Sequence, residues 1–491
     1  MIRASRHSAS RIPRLLASTL ALASLLPLAA CDRIEARRSD APPTRPPNLI
    51  LIVLDTVRRD RVEPCGSSEP TTPNLKRLAA QATTFCRTVT PGSWTAPVHA
   101  SMLTGLLPSE HGLDYYPMDI TVVEPWQDVA KLSPEVPVLP EILAARGYQT
   151  ALVSANPVLN EALGFTRGFR YVSINEAHWS EGNAAVAPSL AQMLPKLDPA
   201  KPLFLLANVW IAHNPYEEVP PGVGWVAPAP LIDIFAPVDV IERTPFAKFV
   251  RRQLSPSQEA ELLGNVRRSY DWSVALADRD LGHVLDLLTA GGWLGQDTTI
   301  VVTSDHGELL GEHRMLEHGG VLYRENNDVF TVVRGPGFEP GRRVDSLVQS
   351  QDLFPTFLRS AGIPVPPLEH AVALQDPDPD RRAVTMTLRN TWLSAFSGEL
   401  DVDDHRDRSQ EKDRFLVSLQ EGDDRVLWAN GEPLRGEHVP GLAPVAEPTP
   451  PRADLVEGTT AVARTWQKAT RVQAEIPDDV RSQLEALGYL H

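Results

Sequence analysis

The chain has 491 residues, of which 42% are hydrophobic and 22% charged, enough for one large α/β domain and a smaller companion. Its 47 Lys+Arg stand against 62 Asp+Glu, a formal net charge of −15, which disfavours nucleic acid as a partner. No P-loop, dinucleotide fingerprint, CxxC pair or internal repeat is present.

The first element is a leader. Arg3, Arg6, Arg11 and Arg14 precede an apolar run at 15–30 that ends L-A-A-C at 28–31. A basic segment, a short apolar segment and small residues make a secretory signal over residues 1–30. The run is shorter than the roughly 20 residues a spanning helix needs. Its terminal cysteine resembles a bacterial lipoprotein box. That implies a lipid on Cys31 and a cell-envelope protein, membrane-anchored and facing the periplasm or the exterior. A plain signal peptide with an incidental cysteine is the alternative. Asp32 resembles an inner-membrane retention signal, but the choice of membrane stays open. Residues 31–47 are charged and proline-rich and read as a tether. Cys65 and Cys86 then remain, either as a disulfide, which an exported compartment permits, or as two buried thiols.

Residues 48–365 read as the main domain. N-L-I-L-I-V-L-D at 48–55 is an unbroken apolar strand ending at Asp55, as in a parallel sheet covered on both faces. A helix is predicted over 140–147 and strands over 149–154 and 202–209. Val274, Ala277, Leu281, Val284 and Leu288 form a helical stripe over 270–288, with Tyr270 and Asp271 opening that helix as packing and capping residues. A strand over 298–303 runs directly into Ser304-Asp305-His306-Gly307. The alternation predicts an α/β fold with a largely parallel sheet. Ligands of such sheets collect beyond the carboxyl ends of the strands, which puts Asp55 and Asp305 at one rim. Residues 366–491 change texture and read as a small α+β subdomain. It holds a β-hairpin over 415–419 and 425–428, a proline-rich loop over 440–451 and a helix over 477–490.

The chemistry concentrates in S-W-T-A-P-V-H-A-S-M-L-T-G at 93–105. Thr95 sits where a helix N-cap belongs, Pro97 suits the first turn and Gly105 the stop. Thr95 is then a plain cap, or a nucleophile favoured by the positive helix end. A threonine hydroxyl needs a metal or a base to attack at neutral pH. Asp55, Asp305 and His306 supply candidate ligands.

Several stretches together resemble the sulfatase family of the alkaline-phosphatase superfamily. They are I-V-L-D-T-V-R-R-D at 52–60, T-P-N-L-K-R-L-A at 72–79, T-A-P-V-H-A-S-M-L-T-G-L-L-P-S-E-H-G at 95–112, L-P-E-I-L-A-A-R-G-Y-Q-T-A at 139–151, H-N-P-Y at 213–216, V-T-S-D-H-G-E-L-L-G-E-H at 302–313, D-L-F-P-T at 352–356 and the closing L-E-A-L-G-Y-L. The resemblance implies a doubly wound core, a small carboxyl-terminal sheet and a metal-bound hydroxyl attacking a sulfate or phosphate ester. Asp55, Thr95, Asp305 and His306 match the metal positions. Thr95 matches the nucleophile. His213 and His318 match positions that contact the ester or its leaving group. His111 reads as structural.

Three departures shape the expectation. The family signature has cysteine or serine at the nucleophile position, matured to formylglycine. Thr95 cannot give that aldehyde, so no formylglycine is expected. Arginine follows two residues past the proline in the family, whereas His99 stands here and joins the catalytic candidates. Thr56 replaces a frequent second aspartate. One divalent ion is expected, zinc or manganese ahead of calcium, because imidazole joins the carboxylates. The expected substrate is a small-molecule, glycan or lipid ester of sulfate or phosphate. The alternatives are a transferase passing the group to an alcohol and an inactive binding lipoprotein. The segment 217–257, with Trp225, Phe235, Arg251 and Arg252, is expected to roof the site and select the substrate, or else to pack as a loop on the surface. Nothing in the sequence fixes the oligomeric state.

Overall fold

Residues 49–54 have no polar alternation, so they need apolar cover on both sides. They form strand β1 (Leu49–Leu54), buried throughout. Ile50, Ile52 and Leu54 enter one core, while Leu49, Leu51 and Val53 enter the core on the opposite face. The structure, a computed structural model, describes residues 45–113, 130–174, 185–214, 216, 248–249, 252–389, 414–429, 432–438, 447–466 and 472–473.

In chain order come α1 (Pro73–Ala79), β2 (Thr83–Val89), α2 (Thr95–Thr104), α3 (Leu139–Ala144), β3 (Gln149–Ser154), β4 (Tyr171–Ile174), α4 (Ala187–Met193) and β5 (Leu203–Val209). Next are α5 (Pro256–Ala290), β6 (Thr299–Thr303), β7 (Asp328–Arg334), β8 (Arg343–Val344), β9 (Val348–Gln349) and α6 (Leu353–Ser360). Nine described strands form one sheet in the order β8–β2–β7–β6–β1–β5–β3–β4, with β9 also on β2. Strands β4, β3, β5, β1 and β6 run parallel, and β7 runs antiparallel to both neighbours. Helices α1, α4 and α5 cover one face and α2, α3 and α6 the other. The doubly wound, mostly parallel core is the predicted one.

The predicted α5 is too short. The helix begins at Pro256, after a capping box in which Ser255 and Gln258 bond each other's backbone amides. Tyr270 and Asp271 therefore lie in its middle and cap nothing. Asp271 instead pairs with Arg61 at 3.0 Å.

The second sheet is antiparallel: β10 (Arg382–Arg389), β11 (Arg414–Glu421), β12 (Asp424–Ala429), β13 (Glu432–His438) and β14 (Glu447–Thr449), in chain order. Strands β11 and β12 are the predicted hairpin. Helix α7 (Ala453–Trp466) packs Leu455 and Ala463 onto Val384, Val417 and Trp428. The expected loop over 440–451 contains strand β14, with Pro448 opposite Glu437. Its edge position explains this, since an edge strand tolerates a residue with no N–H. The helix expected over 477–490 lies outside the described residues. Among the described residues, no helix is long and apolar enough to cross a membrane.

Strand β10 holds the loop that feeds α2. Met386 N–H donates to Pro91 O at 3.0 Å, and Thr385 Oγ1 donates to Thr90 O at 2.9 Å. Ser93 Oγ donates to Thr387 Oγ1 at 3.1 Å.

Cys65 and Cys86, left open by the sequence, form a disulfide across 21 residues. It ties the segment after β1 to β2. Replacing both cysteines by serine is expected to lower stability by about 3 kcal/mol, the chain-entropy value for a loop of that size. Urea unfolding without reductant measures this. An unchanged midpoint would mean that packing alone closes the loop.

Candidate active site

Strand order makes the site. Because β1 lies between β5 and β6, the residues beyond their carboxyl ends are neighbours. Leu54 is in register with Val209, and Val53 with both Asn208 and Thr303. Asp55 and Asp305, one and two residues past their strands, meet there at 0% exposure. Helix α2 aims its amino terminus at the same rim.

Asp55 Oδ2 accepts hydrogen bonds from Asn156 Nδ2 at 2.9 Å and Asn208 Nδ2 at 3.1 Å. Asp305 Oδ1 accepts the amides of Thr56 at 3.2 Å and His306 at 2.9 Å. The remaining oxygens, Asp55 Oδ1 and Asp305 Oδ2, are buried without a hydrogen-bond partner. His306 Nε2 faces both, at 3.8 Å and 3.5 Å. His306 Nδ1 donates to Gly307 O at 3.0 Å, which leaves the Nε2 lone pair on the carboxylate side. Asp55, Asp305 and His306 bring their ligand atoms within 4.8 Å of one another.

Thr95 Oγ1 completes the cluster. It lies 3.4 Å from His306 Nε2 and accepts from Asn156 Nδ2 at 3.2 Å. The N-cap expectation needs correction. The helix starts at Thr95 itself, Trp94 is the cap residue, and no side chain caps the amides. The threonine hydroxyl is therefore not consumed by its own helix.

The electrostatics follow from burial. Desolvation, then the Asp305 charge, pushes Asp55 up to about 8, and desolvation pushes Asp305 up to about 7. Burial also pulls His306 down to about 4, with His318 adding to it, so the imidazole is a neutral ligand at pH 7. Two desolvated carboxylates with converging bare oxygens, a neutral imidazole nitrogen and a hydroxyl fit a divalent cation. Without one, the like charges oppose each other in a medium that screens little.

The histidines predicted to touch the ester flank this cluster. The His318 ring lies 4.2 Å from that of His306 and 4.8 Å from that of His213. His318 Nδ1 bonds Glu308 Oε1 at 3.0 Å. His213 Nδ1 donates to Asn214 O at 2.5 Å, and Asn214 Nδ2 donates to Glu317 Oε1 at 2.6 Å.

Residues 47–363 match the protein-family profile described as Sulfatase. The chain belongs to the sulfatase family. Arylsulfatase K of Xenopus laevis is 30% identical over 163 residues, which cover 33% of this chain and 28% of that relative's length. Among solved structures, one in complex with its substrate D-glucosamine-2-N,6-O-disulfate superposes with a TM-score of 0.61 at 16% identity, covering 87% of this chain and 99% of that one. The phosphonate monoester hydrolase of Agrobacterium radiobacter gives 0.56 at 19% identity, covering 90% and 94%. At such identities the likeness is one of fold.

In this sulfatase-family chain His99 lies under the site with no exposure. Its Nδ1 donates to Thr95 O at 3.0 Å, and Nε2 accepts from Asn208 Nδ2 at 3.3 Å. Burial pulls His99 down to about 3, so it is neutral and props the turn at Thr95. His111 is structural, as expected. Its Nε2 lies 3.2 Å from Pro97 O, and its Nδ1 accepts from Leu113 N–H at 3.1 Å. Of the expected roof, Trp225, Phe235 and Arg251 lie outside the described residues.

The sequence reading missed Asn156, Asn208 and Glu308. Asn208 left a trace, an amide inside the buried run P-L-F-L-L-A-N-V. An amide in a strand covered on both faces needs a polar partner.

Proposed function

We propose that this chain is a metal-dependent hydrolase of sulfate esters that uses Thr95 as its nucleophile. One observation carries the reading: two bare carboxylate oxygens and His306 Nε2 converge beside the uncapped Thr95 hydroxyl. Asp55, Asp305, His306 and Thr95 would hold one divalent ion, zinc or manganese before calcium, which supplies positive charge for the ester oxygens and lowers the pKa of a hydroxyl. Asn156 orients Thr95 Oγ1. That oxygen attacks sulfur in line, so an O–S bond forms as the ester O–S bond breaks. The proton that Thr95 loses passes to a neutral flanking histidine, His318, backed by Glu308, or His213, and from there to the leaving oxygen. Water then attacks sulfur, and Thr95 leaves with its hydroxyl restored. Formylglycine plays no part, since threonine cannot form it.

Thr95 favours a second reading, phosphate or phosphonate ester hydrolysis. The threonine ester must be cleaved by attack at its central atom, which removes the aldehyde route that suits sulfate. Passage of the group to an alcohol acceptor, and a binding lipoprotein without turnover, are the remaining alternatives. The glycan sulfate bound by the structural neighbour supports trying sulfated sugars beside lipid and small-molecule esters. The L-A-A-C box supports an anchor through Cys31 in a bacterial cell envelope.

The test is an activity panel of aryl sulfate, sulfated glucosamine, phosphate monoester, phosphate diester and phosphonate monoester. Each is assayed with zinc, manganese and calcium, with and without acceptor alcohols. Turnover of the sulfates in a metal-dependent way supports the first reading, and turnover of phosphorus esters alone supports the second. No metal binding and no turnover would sink both.

A further inference from the structure

The turn between β1 and the next segment carries strain. Thr56 has φ of +60°, a left-handed conformation that a β-branched side chain adopts only under constraint. Its amide donates to Asp305 Oδ1 at 3.2 Å, and its Oγ1 donates to Asp55 O at 2.7 Å. The strained residue thus bridges the two carboxylates' own chains.

The constraint comes from α5. Tyr270 Oη donates to Thr56 O at 2.7 Å and accepts Arg58 N–H at 2.9 Å. The tyrosine is fully buried, with the Tyr216 ring 5.5 Å away, edge to face. One hydroxyl therefore closes over the turn from both sides. We propose that Tyr270 is a positioning residue for the metal centre: it straps the turn after Asp55 in the left-handed conformation from which Thr56 N–H holds Asp305. With Oδ1 fixed by two amides, Oδ2 is the oxygen turned toward His306 Nε2. Release of the strap lets Thr56 relax, its amide leaves Asp305, and the carboxylate loses its orientation.

This inference rests on the metal reading above, and the test separates the two. Zinc and manganese are titrated calorimetrically into the metal-free full chain, with the melting temperature recorded alongside. Tyr270→Phe keeps the buried ring and removes only the hydroxyl. It is expected to weaken metal binding roughly 10- to 100-fold, as loss of an outer orienting partner does. Glycine adopts positive φ freely. Thr56→Gly is therefore expected to bind metal within about tenfold of wild type, and adding Tyr270→Phe to it is expected to change affinity by no more than about twofold. A purely structural tyrosine gives no such rescue. Unchanged affinity in Tyr270→Phe, or an equal loss in both backgrounds, overturns the strap while leaving the metal site standing. If Tyr270→Phe alone does not fold, the double variant carries the comparison against Thr56→Gly. A wild-type chain that binds neither metal overturns the functional reading and the strap together.

Discussion

Thr95→Ala is expected to abolish turnover, with kcat falling on the order of 10⁴- to 10⁶-fold, the range for removal of a nucleophile. The fold has little reason to object. Thr95 provides no cap hydrogen bond, so α2 loses none of its end stabilisation. The change removes one acceptor from Asn156, which keeps its bond to Asp55. No described hydroxyl stands in for it, because Ser93 Oγ is engaged with Thr387. Asp55, Asp305 and His306 remain, so metal binding should weaken far less than turnover. Thr95→Ser keeps the hydroxyl and should retain much of the activity. A steady-state assay beside calorimetric metal titration and thermal unfolding distinguishes lost chemistry from lost structure. Normal activity in Thr95→Ala would end the assignment, and a collapsed melting temperature would show that the side chain holds the site together instead.

The rim was legible because two apolar strands each run out at an acidic group. Nothing in either strand says that they are neighbours. That follows from β1 lying between β5 and β6, a property of the whole sheet. Helix α2 follows the sequence expectation at its stop, where Gly105 takes φ of +75°, and departs from it at its start. Thr95 has the chemistry of a cap, and only the tertiary contacts with His306 and Asn156 remove it from that duty. The first half of α5 was missed because its apolar contacts are sparse, Leu262 and Val266 among polar residues. The S-P-S-Q capping box at 255–258 was the available signal. Tyr270 was placed at a helix start when it belongs to the middle, and its hydroxyl's task lies on a segment 214 residues away. Sequence periodicity carries no information about such a partner.

Asp55→Asn should give opposite results with and without metal. With metal offered, affinity and turnover fall sharply, because a neutral amide replaces an anionic ligand. Without metal, the variant is expected to be more stable than wild type at pH 8. Asp55 Oδ2 already accepts two amide donors, a role the asparagine oxygen can keep. The asparagine NH₂ then takes the place of the bare Oδ1, facing Asp305 Oδ2 and His306 Nε2 as a donor. The sign of the pH effect follows from proton binding. Asp55 is raised from 3.8 to about 8 in the folded chain, so the native state holds a proton that the unfolded state has released. Its contribution is complete below 3.8 and is lost as pH rises through about 8. The buried histidines act the other way: their lowered pKa values make stability rise with pH up to the unfolded value of 6.5. The unfolded histidines are still half-protonated at 6.5, so their opposing contribution runs on to about pH 7.5, and it is the comparison with Asp55→Asn, whose histidines contribute alike, that isolates Asp55. Between pH 6.5 and 8, Asp55 alone costs the metal-free wild type roughly 1 to 2 kcal/mol, because the slope of 1.36 kcal/mol per pH unit halves as pH reaches the folded value. Asp305 and Glu308, raised to about 7 and about 8, add to the same slope. Urea unfolding in chelator at pH 6.5 and pH 8 should show wild type losing stability relative to Asp55→Asn as the pH rises. A difference between wild type and variant that is the same at both pH values, with the variant the less stable, would mean that Asp55 is an ordinary solvated acid, and the case for a cation between the two carboxylates would go with it.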